Sequence, residues 1–241
     1  MPTIHRHLSP VSKVLSTLLL AALPSVVRGQ SPPPPNYHPP AVFNNPTAIT
    51  NAYLPYGHFR QDILTGMEGG KQARVVRTRF PGTKTFMVKG KAVQAIIVAD
   101  SGWLGGELEE VALDYYAQSD HGDVYYFGED VDNYENGKVA NHEGSWLYGV
   151  HTRTLGIMFP TTPRIGQRYR PEDVPKITQE DDEVMSVTET VTVPAGTYQN
   201  CVRIKEVLSD GAVEFKLYCP NVGIAQEGSS DGGRTDLESH H

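Results

Sequence analysis

Leu113-Asp114-Tyr115-Tyr116-Ala117-Gln118 is followed, after a short polar turn, by Val124-Tyr125-Tyr126-Phe127-Gly128-Glu129. Aromatic and β-branched side chains fit a pleated, half-buried surface, and Asp120-His121-Gly122-Asp123 between the two runs is turn chemistry. The segment therefore predicts an antiparallel hairpin. Successive strand residues face opposite ways, so Tyr115 and Tyr116 part company, as do Tyr125 and Tyr126. A sheet with large rings on both faces is covered on both sides or encloses something. A two-residue turn at His121-Gly122 pairs Asp114 with Glu129 on one face, two carboxylates among rings.

The same grammar continues outward. Residues 73–80, 85–99, 108–118, 183–193, 198–208, 213–219 and 224–227 are rich in Val, Ile, Thr, Tyr and Phe, and many alternate. Asn136-Gly137, Asp210-Gly211 and Pro194-Ala195-Gly196-Thr197 separate them as reversals. No window longer than about ten residues has a helical period. The reading is a mainly β, single-domain, curled antiparallel sheet. It forms a barrel or half-barrel, lipocalin-like or lipoprotein-carrier-like, because curling protects sheet edges. Residues 43–227 form the β domain, with 43–56 wrapping one end, and 228–241 read as a disordered tail.

The amino terminus reads as a signal peptide over 1–29. A basic leader precedes an apolar run from Val14 to Val27, and small residues stand before Gln30. The run is shorter than the about 20 residues of a membrane span. Residues 30–42, with Pro32-Pro33-Pro34-Pro35, read as an extended linker. These features predict a secreted protein with no membrane span. Loss of Arg6, Lys13 and Arg28 takes the net charge from −7 to −10, which argues against nucleic acid as a partner. Two cysteines in a secreted chain suggest a disulfide. A two-residue loop at Asp210-Gly211, however, pairs Val202 with Cys219 and turns Cys201 to the other face. A Cys201–Cys219 bridge therefore requires a bulge or a one-residue slip.

Asp114-Tyr115-Tyr116-Ala117-Gln118, Val124 to Glu129, Glu143-Gly144-Ser145-Trp146, Gly166-Gln167-Arg168-Tyr169-Arg170 and Val193-Pro194-Ala195-Gly196-Thr197-Tyr198 together resemble a group of uncharacterised secreted bacterial β-rich proteins. The resemblance spans most of 43–227. It implies export and a curved sheet and names no reaction. His151-Thr152-Arg153 and His142 depart from the group's pattern.

The candidate acid–base residues are Asp114, Glu129, Glu143, His142 and His151. A carboxyl walled by rings is pushed toward the neutral form and toward a pKa useful for proton transfer. Glu172 and Asp181 lie beside the same motifs, and oxygens converging there could hold a hard cation such as Ca²⁺. No cofactor is otherwise implied. The plainer alternative pairs these acids with Lys138, Arg153, Arg168 or Arg170. Asp130 to Gly137 lacks the glycine and closing glutamate of a calcium loop and reads as a hairpin. Tyr115, Tyr126, Phe127, Trp146 and Tyr169 are candidate ligand-binding residues, with ordinary core as the alternative. There is no nucleophile elbow, reactive-cysteine context or phosphate-cradling loop. Three functions remain. The first is binding of a small organic or lipid-like ligand in an aromatic and acidic cavity. The second is an acid–base enzyme (lyase, isomerase or hydrolase) using that cavity, and the third is a passive surface-associated module.

Overall fold

A computed structural model describes residues 32–58 and 60–241; the expected signal peptide over 1–29 lies outside them. The N-terminal half of the sheet is built from β1 (Gln61–Glu68), β2 (Lys71–Val88), β3 (Lys91–Leu104), β4 (Glu107–Gln118), β5 (Val124–Glu135) and β6 (Lys138–Asn141). Short strands follow: β7 (Trp146–Leu147), β8 (Gly156–Phe159), β9 (Arg168–Tyr169) and β10 (Asp173–Val174). The C-terminal half comprises β11 (Thr178–Val193), β12 (Gly196–Leu208), β13 (Val213–Cys219), β14 (Gly223–Ser229) and β15 (Arg234–His240). All belong to one antiparallel sheet ordered β10-β11-β12-β13-β14-β15-β1-β2-β3-β4-β5-β6, with β7 and β8 on β5 and β9 on β11. The order ends on β10 and β6, so the sheet is not closed, and the half-barrel is the alternative realised.

Several boundaries differ from those expected. Residues 228–241 are not a disordered tail. β14 ends within them at Ser229, and β15 fills most of the rest and pairs with both β14 and β1. The polar composition misleads because only alternate residues, Thr235 and Leu237, are fully buried. Residues 85–99 are not one strand, since the chain reverses at Lys89-Gly90, both at positive φ. Lysine rarely adopts that conformation, so the turn leaves little trace in sequence. Residues 32–42 have no regular structure but are docked rather than free. The Tyr37 hydroxyl donates to Asp123 Oδ1 (2.6 Å), and the Pro39 carbonyl accepts from Tyr125 Oη (3.0 Å).

The N-terminal segments cover the sheet on both sides of the opening hairpin. Phe43 packs on Tyr125 and Phe127, and Phe86 on Tyr115 and Phe127. On the other face Tyr56 stacks near Tyr116, which lies over Tyr126 at 4.9 Å. Gln118 fixes this plug by accepting from the Thr50 and Asn51 amides at 2.8 Å. Aromatic residues on both faces are thus buried for two separate reasons.

The β12–β13 hairpin closes through Leu208 N–H donating to Ala212, around Ser209-Asp210-Gly211 with Gly211 at φ 87°. A three-residue loop replaces the two-residue one and slips the register by one residue. Val202 then faces Tyr218, and Cys201 and Cys219 form a disulfide.

Candidate functional site

Directly paired residues share a face, and the register therefore draws the inner surface. Asp62 pairs with Arg77, Arg77 with Asp100, Val98 with Asp114, and Asp114 with Glu129. In the C-terminal half Glu227 pairs with Lys216, Glu206 with Glu214, Asp182 with Glu206, and Tyr169 with Asp182. Curling brings these two surfaces together. Arg77 donates through Nε to Asp100 Oδ2 (2.7 Å) and through Nη2 to Glu227 Oε1 (2.6 Å), although β15 and β1 separate β14 from β2 in the sheet.

Between them lies a cavity of about 70 Å³ lined by Tyr56, Arg77, Asp100, Asp114, Tyr116, Tyr126, Glu129, Glu172, Thr178, Glu180, Lys216 and Glu227, with Met158, Pro171, Leu208 and Ile224. Among the described residues ten acidic side chains are buried against two basic ones, Arg77 and Lys216. All ten except Asp123 belong to the inner face. Burial disfavours the charged form of a carboxyl. It lifts Asp114 to about 7, helped by the negative charge of Asp100 and opposed by the Tyr126 hydrogen bond. It lifts Asp62 to about 7 as well, and raises Glu180, Asp182, Glu206 and Glu214. Lys216 Nζ lies 2.7 Å from Glu206 Oε2.

Asp114 and Glu129 face each other and line the cavity, as the hairpin reading expects. The turn differs from the expected one, however. Ser119 N–H donates to Asp123 around a three-residue loop with Gly122 at φ 96°, and the register is restored by a bulge at Phe127-Gly128. Tyr126 donates to Asp114 Oδ1 at 2.6 Å. Trp146 closes one side, edge-on to Tyr126 at 5.2 Å, with Nε1 donating to Glu172 Oε1 at 3.0 Å.

Glu143, His142 and His151 do not join this site. All three are exposed on the segment around β6 and β7. His142 Nδ1 sits 2.8 Å from Asp132 Oδ1, and His151 Nδ1 accepts from the Leu147 amide at 3.0 Å. Their polar roles are local to turns. Tyr115 and Phe127 lie on the opposite face. Tyr115 donates to Asp130 Oδ2 and Phe127 is buried core. Asp181 also points away, paired with Arg170 at 2.6 Å as the plainer alternative has it. Tyr169 does face inward, but beside Asp182 rather than Asp114.

Sequence reasoning missed Asp62, Arg77, Asp100, Glu180, Asp182, Glu206, Lys216 and Glu227. In Gln179-Glu180-Asp181-Asp182-Glu183 the sequence reading takes up only Asp181 and begins a strand at Glu183, and nothing in the run marks the even-numbered acids as the inward ones.

No helix among the described residues is long and apolar enough to cross a membrane. No protein-family model matches the chain, and no curated protein matches it. Among solved structures, a protein of Parabacteroides distasonis ATCC 8503, provisionally described as a lipoprotein, aligns over 79% of this chain and 99% of its own. The identity is 14% and the TM-score 0.42, a likeness too slight to bear on function.

Proposed function

We propose that the protein is an exported binder of a small organic cation, held in the cavity inside the curled sheet. The disulfide and the expected signal peptide fit an oxidising compartment. The observation that carries the reading is the charge of the cavity wall. Its carboxylates outnumber Arg77 and Lys216, and Tyr56, Tyr116 and Tyr126 contribute aromatic rings beside them. Ammonium groups are recognised by this combination of carboxylates and ring faces. The volume corresponds to on the order of five water sites, which favours a compact polar molecule over a lipid chain. Calorimetric titration with small alkylammonium ions and their neutral isosteric alcohols tests the reading. The amines are expected to bind and the alcohols not, with Asp114→Asn weakening binding about tenfold or more. Equal binding of amines and alcohols, or none of either, would overturn it.

One observation favours a second reading, acid–base catalysis. Asp114 is held near neutrality and accepts a 2.6 Å hydrogen bond from Tyr126, an arrangement suited to moving a proton. Proton NMR of a bound amine separates the two readings. An enzyme converts the ligand over hours and loses that conversion in Asp114→Asn, whereas a binder leaves it unchanged.

A further inference from the structure

The other end of the inner surface carries a different constellation. Glu180 and Asp182 are two residues apart on β11 and therefore share its inward face. Glu206 stands directly opposite Asp182 on β12. One oxygen from each of the three lies within 4.8 Å of the others, and the residues are 5%, 3% and 0% exposed. We propose that Glu180, Asp182 and Glu206 hold a hard divalent cation, with the Tyr169 hydroxyl beside it. This site does not rest on the organic-cation reading.

Three features of the geometry support the assignment. The first is spacing. Three oxygens no more than 4.8 Å apart share a central point at most about 2.8 Å from each, so only a small inward movement brings them to the roughly 2.3–2.6 Å of Ca²⁺–oxygen bonds. The second is charge. Once ionised, three carboxylates beside Lys216 leave two negative charges, and a divalent ion neutralises them. The third is independent of the acids. Tyr169 enters from β9 opposite Asp182 and is 1% exposed, and its hydroxyl has no hydrogen-bond partner. Tyr169 and Asp182 are direct cross-strand partners, so the ring stands on the same inward face as the cluster. Glu180 and Asp182 lie within hydrogen-bond reach of each other, yet Glu180 Oε1 and Asp182 Oδ1 accept from no donor group. Buried polar atoms are normally satisfied, and an ion with its waters would satisfy these. The donors are all oxygen, which suits Ca²⁺, Mn²⁺ or Mg²⁺ rather than thiophilic or imidazole-seeking metals. Glu180 lines the central cavity, so the cluster adjoins that cavity.

The test uses the full chain stripped with a chelator and titrated with Tb³⁺ under tyrosine excitation, since Tyr169 adjoins the site. Sensitised emission is expected to saturate, to be displaced by Ca²⁺ or Mn²⁺, and to be accompanied by a melting temperature that rises with added CaCl₂. Asp182→Asn is expected to lower affinity by about tenfold or more, while Asp181→Asn, on the outer face of the same strand, leaves it unchanged. If Asp182→Asn does not fold, Tyr169→Phe keeps all three carboxylates. It should reduce the sensitised emission, with the buried Tyr218 remaining as a second donor, and bind Mn²⁺ a few-fold more weakly by calorimetry. Folded wild-type protein that gives neither emission nor a melting shift up to about 1 mM cation, the weak end of calcium modules, would overturn the proposal; the three acids would then hold protons. Emission unaltered in Asp182→Asn would also overturn it. Amine titrations of the stripped protein report separately on the organic-cation reading.

Discussion

Asp114 stands with its carboxylate against Tyr126 and opposite Glu129, buried in a wall that holds Asp100 and Arg77 nearby. Burial raises its folded-state pKa to about 7, above the usual carboxylate range expected in the unfolded chain. The native state therefore holds the proton more tightly than the unfolded state does. By linkage, its contribution to stability is fully present below about pH 4 and is lost as pH rises through about 7. Asp114→Asn keeps the acceptor for Tyr126 and removes the charge. The variant is expected to be more stable than wild type at pH 8 by about 2–4 kcal/mol, since each tenfold difference in proton affinity between the two states is worth about 1.4 kcal/mol. Near pH 4 the two should be nearly equal. Urea denaturation at both pH values measures the difference. A variant less stable than wild type at pH 8 would mean that Asp114 is held ionised by Arg77 instead.

At the scale of the strand, the site depends on one glycine. Gly128 has φ 123° and supplies the extra residue of the β5 bulge, and β7 is seated against it. A Cβ there would collide with the Trp146 carbonyl oxygen, which is backbone and cannot swing aside. Gly128→Ala is expected to cost about 3 kcal/mol or more, combining strain at positive φ with displacement of β7. It should also shift the fluorescence of Trp146, which packs on Tyr126. A melting temperature within a degree or two of wild type would show that β7 moves away freely. The same bulge explains what could be read from the chain. The Asp114–Glu129 pairing was legible, but through two compensating departures. The three-residue turn at Asp120–Gly122 shifts the register by one residue and the bulge shifts it back. Asn136-Gly137 formed the expected two-residue reversal, with φ 53° and 71°. Asp210-Gly211 gained a residue, and that difference alone decides whether Cys201 meets Cys219. Glycine marks that a turn exists, while the loop length is set by what the flanking strands can bury.

For the molecule as a whole, β15 is the seam. In the strand order it joins the C-terminal meander, β11 to β14, to β1 and the rest of the sheet. Arg77 and Glu227 tie the inner surfaces of the two halves across it, and Leu237, fully buried, packs beneath. The Leu237 carbonyl also accepts from the Ala195 amide (3.0 Å), anchoring the reversal between β11 and β12. β1 is pressed so close that a Cβ on Gly66 would strike the Arg234 carbonyl. Sequence patterns hide this seam because it is short, polar on its outer face and remote along the chain from β1, one of the two strands it joins. Removing residues 234–241 unpairs β1 and β14 on their facing edges, exposes Leu64 and leaves the Arg77–Glu227 pair open to water. The truncated chain is expected to lose cooperative thermal unfolding and to bind a hydrophobic dye. Leu237→Ala, which retains the strand, should lower stability by about 2–5 kcal/mol while keeping a single transition. If the truncated chain instead melts cooperatively near the wild-type temperature, the two halves are held together by the inner charged surface and the N-terminal plug rather than by β15. Adding Arg77→Met to the truncation would then abolish the transition.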